Sequence, residues 1–232
     1  MMLNKEIKNL RVLWLAQTIS QAGDAIYQLA LIWLVLDMTQ STIITGIIAM
    51  SAYLPALIFG LYAGVFSDRG NRFKLMLFSN AAQALTVMLI PLALWNGIEN
   101  AWIICGLAFL RSCFYTLFQP ALQSFIPMLF AKEHIVKINS ILITSGQVAW
   151  MIGPFFAGVL LSVFSLINLF VVDALSFLFA TILLLFVNQP QQHYEDKLSS
   201  HWEDLKHGLS YLFSHKSILM MMVITFINNL FI

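Results

Sequence analysis

The sequence predicts an all-α membrane protein with six transmembrane helices and the beginning of a seventh. Three observations carry this. Of the 232 residues, 60% are apolar and only 10% are charged, where a soluble domain has roughly 25% charged residues. The mean hydropathy of +0.84 describes more apolar surface than a soluble fold of this size can hide, because most of a folded surface faces water. The apolar residues also fall into repeated runs near the ~20 residues that cross a bilayer, with lysines and arginines gathered in alternate gaps. A soluble enzyme and a disulfide-stapled module are excluded on this ground. With a net charge of +1, the chain lacks the basic excess of a nucleic-acid binder. Cys105 and Cys113 share one apolar run without a metal-ligand pattern and read as core thiols.

Taken in order, the spans are expected near residues 10–37, 42–66, 73–95, 101–129, 138–164 and 167–188. The first opens with Lys5, Lys8 and Arg11, as a secretory leader does, but its apolar run is too long and carries Gln17, Gln21 and Asp24. It is therefore read as a retained helix. A seventh run begins at 217, and the sequence stops inside it at 232, so the chain is expected to be part of something longer. The domain reading is thus a six-helix domain at 1–188, a linker at 189–216 and the start of a seventh span at 217–232.

Sidedness follows from the cations. Eleven of the twelve Lys and Arg residues precede or open the first span, lie at the junction of the second and third or between the fourth and fifth, or follow the sixth. The opposite turns, at Asp37–Gln40, Asn96–Asn100 and Ser165–Asn168, contain none. By the positive-inside rule the amino terminus is cytoplasmic in a multi-pass protein of the cell membrane. Trp95 and Trp102 flank an outer turn, where an aromatic belt is expected.

Pro190 should end the sixth span, since it lacks an N–H and pushes its predecessor out of helical geometry. Beyond it Leu198, Trp202, Leu205, Leu209 and Leu212 recur at helical spacing, which predicts an amphipathic linker helix on the cytoplasmic face. His193, His201, His207 and His215 lie here, but no two are four apart, so no metal site is expected.

The turn between the second and third spans reads Gly64-Val-Phe-Ser-Asp68-Arg69-Gly70-Asn71-Arg72-Phe73-Lys74. A carboxylate and several cations on so tight a loop can pair with neighbouring helix ends and lock one conformation. The second span also carries Ala52, Ala56, Gly60 and Gly64, and the fifth carries Gly146, Ala149, Gly153 and Ala157. Such small-residue stripes admit a neighbouring helix closely. Pro154 removes a backbone bond in mid-membrane, so a bend is expected there. The turn resembles the helix 2–3 signature of the major facilitator superfamily, Gly-x-x-x-Asp-Arg-x-Gly-Arg-Arg. Asn71 stands in the slot of the second glycine and Phe73 in that of a basic residue, with Lys74 following. The stretch from Gly146 through Gly153-Pro154 to Gly158 resembles the helix 5 motif of antiporters in that superfamily. The resemblance implies a half-transporter built as a three-plus-three repeat, with Gly64, Asp68, Arg69, Arg72 and Lys74 as a conformational gate. It also makes Gly60, Gly146, Gly153, Pro154 and Gly158 a packing motif in equivalent helices.

Three charges lie inside the membrane: Asp24, Arg111 and Asp173. Charge at such depth marks a function or a partner. At about 1.5 Å per residue, Asp24 lies roughly 20 Å from the inner end of its helix and Arg111 roughly 15 Å from the outer end of its own. The two can meet near mid-depth, either as a proton-exchanging pair or as a static ion pair that fixes packing. Asp173, nearer the outer surface and followed by Ser176, is read as mostly structural.

Gly23-Asp24 with Trp33-Leu-Val-Leu36 and Thr39-Gln-Ser41, Gln119-Pro-Ala121 through Pro127, and Asp173-Ala-Leu-Ser-Phe177 resemble the macrolide-efflux and enterobactin-exporter branch of the superfamily. Its members normally have twelve helices, and the match covers an amino-terminal half. The Arg-x-x-Gln-Gly pattern of other drug exporters is met at Arg111 alone, with Phe114 and Tyr115 in the other places. What the resemblance implies is proton-coupled efflux of a hydrophobic small molecule, without enzyme chemistry or cofactor. Its partners would be the lipid bilayer, protons and a carboxy-terminal half. The alternative is a membrane-embedded scaffold with no transport of its own. No phosphate-binding G-x-x-x-x-G-K-[ST] is present to make the chain an ATP-driven pump. A seven-helix receptor would place the amino terminus outside, against the charge distribution.

Overall fold

A computed structural model describes residues 4–188, 210, 214–221 and 224. It divides into two compact units, Met1–Gln192 and His193–Ile232. The described residues are helical, with no strand. In the first unit the helices are α1 (Asn4–Thr39), α2 (Thr42–Ser51), α3 (Leu54–Arg69), α4 (Arg72–Trp95), α5 (Ala101–Leu129), α6 (Lys132–Leu161) and α7 (Leu166–Leu184). With α2 and α3 taken together as one stretch, six of these are long and apolar enough to cross a membrane. In the second unit, residues 216–221 are helical. The expected linker periodicity, Leu198 to Leu212, lies outside the described residues, as does most of the seventh run.

The second span differs from expectation. It is broken at Ala52–Tyr53 rather than continuous over 42–66. Pro55, in the first turn of α3, offers no N–H to the carbonyl of Ser51 and its ring crowds that carbonyl, so the helix cannot run through. α2 closes with tighter bonds, Ala52 N–H to Ala49 O at 3.3 Å and Tyr53 N–H to Met50 O at 3.0 Å. Within the break, the carbonyl of Ala52 accepts the hydroxyl of Ser112 on α5. Pro154, by contrast, sits inside an uninterrupted α6.

α1 packs on α6 and α7, α5 packs on α3 and α4, and α4 and α7 pack on each other. Exchanging the first three spans with the last three maps this set of neighbours onto itself, which is the packing form of a three-plus-three repeat. At one end of the bundle, the backbone N–H of Asn188 donates to Asn9 Oδ1 at 3.0 Å. There too, Ala131 N–H donates to a Glu6 carboxylate oxygen at 3.0 Å. The starts of α1 and α6 and the residue beyond α7 therefore share one side, as an even number of crossings requires.

Two apolar clusters fill the interior. One contains Leu13, Phe73, Met76, Phe125, Ile138 and Leu184. The other contains Tyr27, Leu31, Val87, Ile90, Ile104 and Phe170. Each long inner helix passes from one to the other through polar residues: Gln17, Ser20 and Asp24 on α1, Ser79, Asn80 and Gln83 on α4, Arg111, Ser112 and Thr116 on α5. These side chains are all buried, forming a polar layer between two apolar ones. Outward, side chains such as Ile43, Leu57, Met151 and Phe155 are exposed, as lipid-facing positions are.

Candidate functional site

The polar layer holds all three intramembrane charges together. Arg111 Nη2 donates to Asp24 Oδ1, and the same nitrogen lies 3.9 Å from Asp173 Oδ2. Asp173 is 0% exposed, Asp24 6% and Arg111 8%. Asp173 is thus placed beside the pair, a third charge in the same cluster. Depth counting along α7 placed it near the outer surface but could not give the direction its side chain takes.

Neighbouring residues explain how the helices bring these groups so close. A Cβ built on Gly23 would overlap Ser176 and Asp173, so the missing side chain at this position is what lets α1 approach α7. Ser176 donates its hydroxyl to the backbone carbonyl of Asp173 at 2.8 Å and reaches its carboxylate at 3.4 Å. The Arg111 guanidinium carbon stands 4.1 Å from the Tyr27 ring centroid and 5.4 Å from that of Phe177. Cation–π contact of this kind spreads the cation's field where water is excluded. Tyr27 in turn meets Phe170 edge-on at 5.6 Å. Sequence reasoning missed Tyr27. The signal was its position three residues after Asp24, on the same face of one helix.

Two buried carboxylates share one guanidinium, so with all three ionised the cluster carries one negative charge in excess. Among the described residues Arg111 Nε and Asp173 Oδ2 have no hydrogen-bond partner. Removing ions from water costs several kcal/mol each unless the charge is matched, and one proton would match it. The arrangement thus places two carboxylates within reach of one guanidinium nitrogen.

A cavity of about 140 Å³ reaches the pair, lined by Asp24, Gln28, Ala52, Tyr53, Arg111 and Trp150 among others. It includes the point where the second span is broken. A larger cleft of about 380 Å³ lies between α1 and α6, its walls formed by Trp14, Ile26, Val148, Ile152, Gly153 and Phe156 with a few hydroxyls. Trp14 donates its indole N–H to Ser145 Oγ across it at 2.5 Å.

The loop motif lies apart from the charge cluster, with Phe73 and Met76 of the first apolar cluster intervening along α4. Asn71 caps α4, its Oδ1 accepting the N–H of Lys74 at 2.9 Å, with φ −71°. This explains the departure from the signature: the slot is filled by a capping side chain and needs no left-handed glycine. Arg72 Nη1 reaches Ser124 O at 3.4 Å and Met128 Sδ at 3.0 Å, fixing the loop to α5. The side chains of Asp68 and Arg69 lie outside the described residues.

The two small-residue stripes differ. Gly153 abuts Ala25 and Gly146 abuts Gln21, so α6 lies directly on α1 beside Asp24. A Cβ at Gly60, Gly64 or Gly158 meets nothing within 4 Å. For Gly60 and Gly64 the expected close packing is thus absent among the described residues. α3 buries Pro55, Ala63 and Ser67 instead, one residue and about 100° round the helix from the stripe.

The chain matches the family described as transmembrane secretion effectors over residues 5–231. The MFS-type transporter YfiS of Bacillus subtilis strain 168 is 29% identical over 215 residues, covering 88% of this chain and 49% of YfiS. Macrolide efflux protein A of Streptococcus pyogenes is 25% identical over 179 residues, 77% of this chain and 44% of that protein. The multidrug efflux pump Tap of Mycolicibacterium fortuitum is 29% identical over 161 residues, 67% and 39% of the respective chains. The chain spans about half the length of the curated relatives it matches. In fold it resembles a bacterial homologue of the human lysosomal transporter Spinster, crystallised inward-facing and unoccupied, with a TM-score of 0.69 at 15% identity over 86% of this chain and 47% of that one. The chain belongs to the transmembrane secretion effector family of the major facilitator superfamily.

Proposed function

We propose that the chain forms the amino-terminal six-helix half of a secondary transporter that exports a hydrophobic small molecule from the cytoplasm in exchange for protons. The observation that carries this reading is the charge imbalance at Asp24, Arg111 and Asp173, two buried acids on one guanidinium. A group that must hold a proton to be neutral, beside an arginine with two available partners, links proton occupancy to helix position. The apolar cleft between α1 and α6 has the volume and lining of a small-molecule site. The macrolide-efflux and multidrug-efflux relatives support efflux as the direction of transport. Alternating access needs two halves that rock against each other. The relatives are long enough to contain a second half, and the open stripe of Ala56, Gly60 and Gly64 suits its helices.

The test uses the full-length transporter containing this chain, expressed in cells loaded with a macrolide or a lipophilic dye. Expression should lower accumulation, and collapse of the proton gradient by a protonophore should restore it. Efflux that survives loss of the gradient would refute proton coupling.

Sidedness is part of the same proposal. With Cys105 and Cys113 replaced, a cysteine at Gly97 should label from outside the cell, and one at Ala131 only after permeabilisation. The reverse pattern would invert the topology.

A further inference from the structure

A small cavity lies between α1, α4, α5 and α7, against the side of Asp24 that faces the start of α1. Gln17, Ser20, Asp24, Asn80, Gln83 and Gln119 contribute to its wall. Its volume is about 10 Å³, close to that of a single probe-sized water.

Two amides on this wall are each tied at one end only. Gln17 Oε1 accepts from Gln21 Nε2 at 3.1 Å, which leaves Gln17 Nε2 without a partner among the described residues. Gln83 Nε2 donates to the carbonyl of Ser79 at 3.3 Å, which leaves Gln83 Oε1 without one. These side chains are 5% and 1% exposed, and buried polar atoms of this kind are costly unless hydrogen-bonded. The wall therefore presents one unused donor, one unused acceptor and a carboxylate. A water molecule matches that set: its lone pair takes the Gln17 N–H, and its two hydrogens go to Gln83 Oε1 and to Asp24. Buried waters typically make about three such bonds.

We propose that this cavity binds one water molecule, held by Gln17 and Gln83, through which Asp24 receives and returns its proton. The inference rests on the proton-coupling reading above. In the protonation step one O–H bond of the water breaks as one forms on the Asp24 carboxylate. The water regains its proton from a hydronium, so the net change is transfer of one proton to Asp24. Gln17 and Gln83 are positioning residues here, since neither exchanges a proton itself.

The experiment uses the full-length transporter in proteoliposomes, with Gln17→Leu and Gln83→Leu as separate variants. Each removes one ligand of the water at similar side-chain volume. Exchange of the Asp24 carboxyl band with deuterium oxide, followed by infrared spectroscopy, should slow by about tenfold or more in each variant, the rate equivalent of one lost buried hydrogen bond. Substrate binding should be retained, a split that mere loosening of the helices would not give. Unchanged exchange in both variants overturns the water site, even if Asp24→Asn abolishes coupling. Undiminished proton dependence in Asp24→Asn overturns the coupling reading instead. A high-resolution map of the unaltered protein decides the matter if the variants misfold: water within hydrogen-bond distance of Gln17 Nε2, Gln83 Oε1 and Asp24 supports the proposal, and an empty cavity overturns it.

Discussion

Arg111→Ala should destabilise the protein by about 3–5 kcal/mol, the cost of removing one partner from a buried ion pair. The loss is large because two carboxylates, not one, depend on this guanidinium. Arg111→Lys should be milder, since the charge is kept, although the planar guanidinium that lies over the Tyr27 ring is lost. Asp24→Asn should behave differently: the fold survives and substrate still binds, but efflux no longer follows the proton gradient. Thermal melting in detergent reads the first effect and vesicle transport with an imposed pH step reads the second. If Asp24→Asn exports with full gradient dependence, the pair is a static packing element and Asp173 is the acid to examine next.

Gly153→Leu carries the other large expected effect. A side chain at this position meets Ala25 at once, so α6 must move off α1 at the residue next to Asp24. Overpacking typically costs ~1–3 kcal/mol and sometimes more. A branched side chain against a neighbouring helix should lie at the upper end. Gly60→Leu meets none of the described residues and should leave the packing of the half unchanged, as should Leu61→Phe at an exposed position. Melting temperatures of the three variants, each in the isolated half and in the full-length transporter, separate the cases. A Gly153→Leu half as stable as the Leu61→Phe half would refute the close contact. A Gly60→Leu defect confined to the full-length protein would assign the open stripe to the second half.

The spans were legible because a bilayer imposes a length and a composition that few other environments do. Asp24 and Arg111 were legible because charge at that depth is rare enough to need a partner. What could not be read was direction around a helix axis. Rise per residue gives depth, so Asp24 and Arg111 were expected at one level, but only the packed bundle turns Asp173 inward. The same limit hid the difference between the two small-residue stripes, which look alike in sequence while one abuts α1 and the glycines of the other meet none of the described residues. Prolines posed a third difficulty. Pro91, Pro120, Pro127 and Pro154 all sit inside continuous helices, whereas Pro55 stands just past a break. The residue beside a proline does not show whether a distant hydroxyl is there to hold the break open, as Ser112 does on the Ala52 carbonyl.

That hydroxyl has a consequence for how the chain is made. Ser112 lies 60 residues downstream of the Ala52 carbonyl it caps. A ribosome delivers the second span, in two pieces of 10 and 16 residues, well before the helix that completes it. Neither piece alone reaches the ~20 residues of a crossing. The interval between the two arrivals is when an insertion machinery or chaperone would have most to shield, and the fourth span, once it docks, closes the second retroactively.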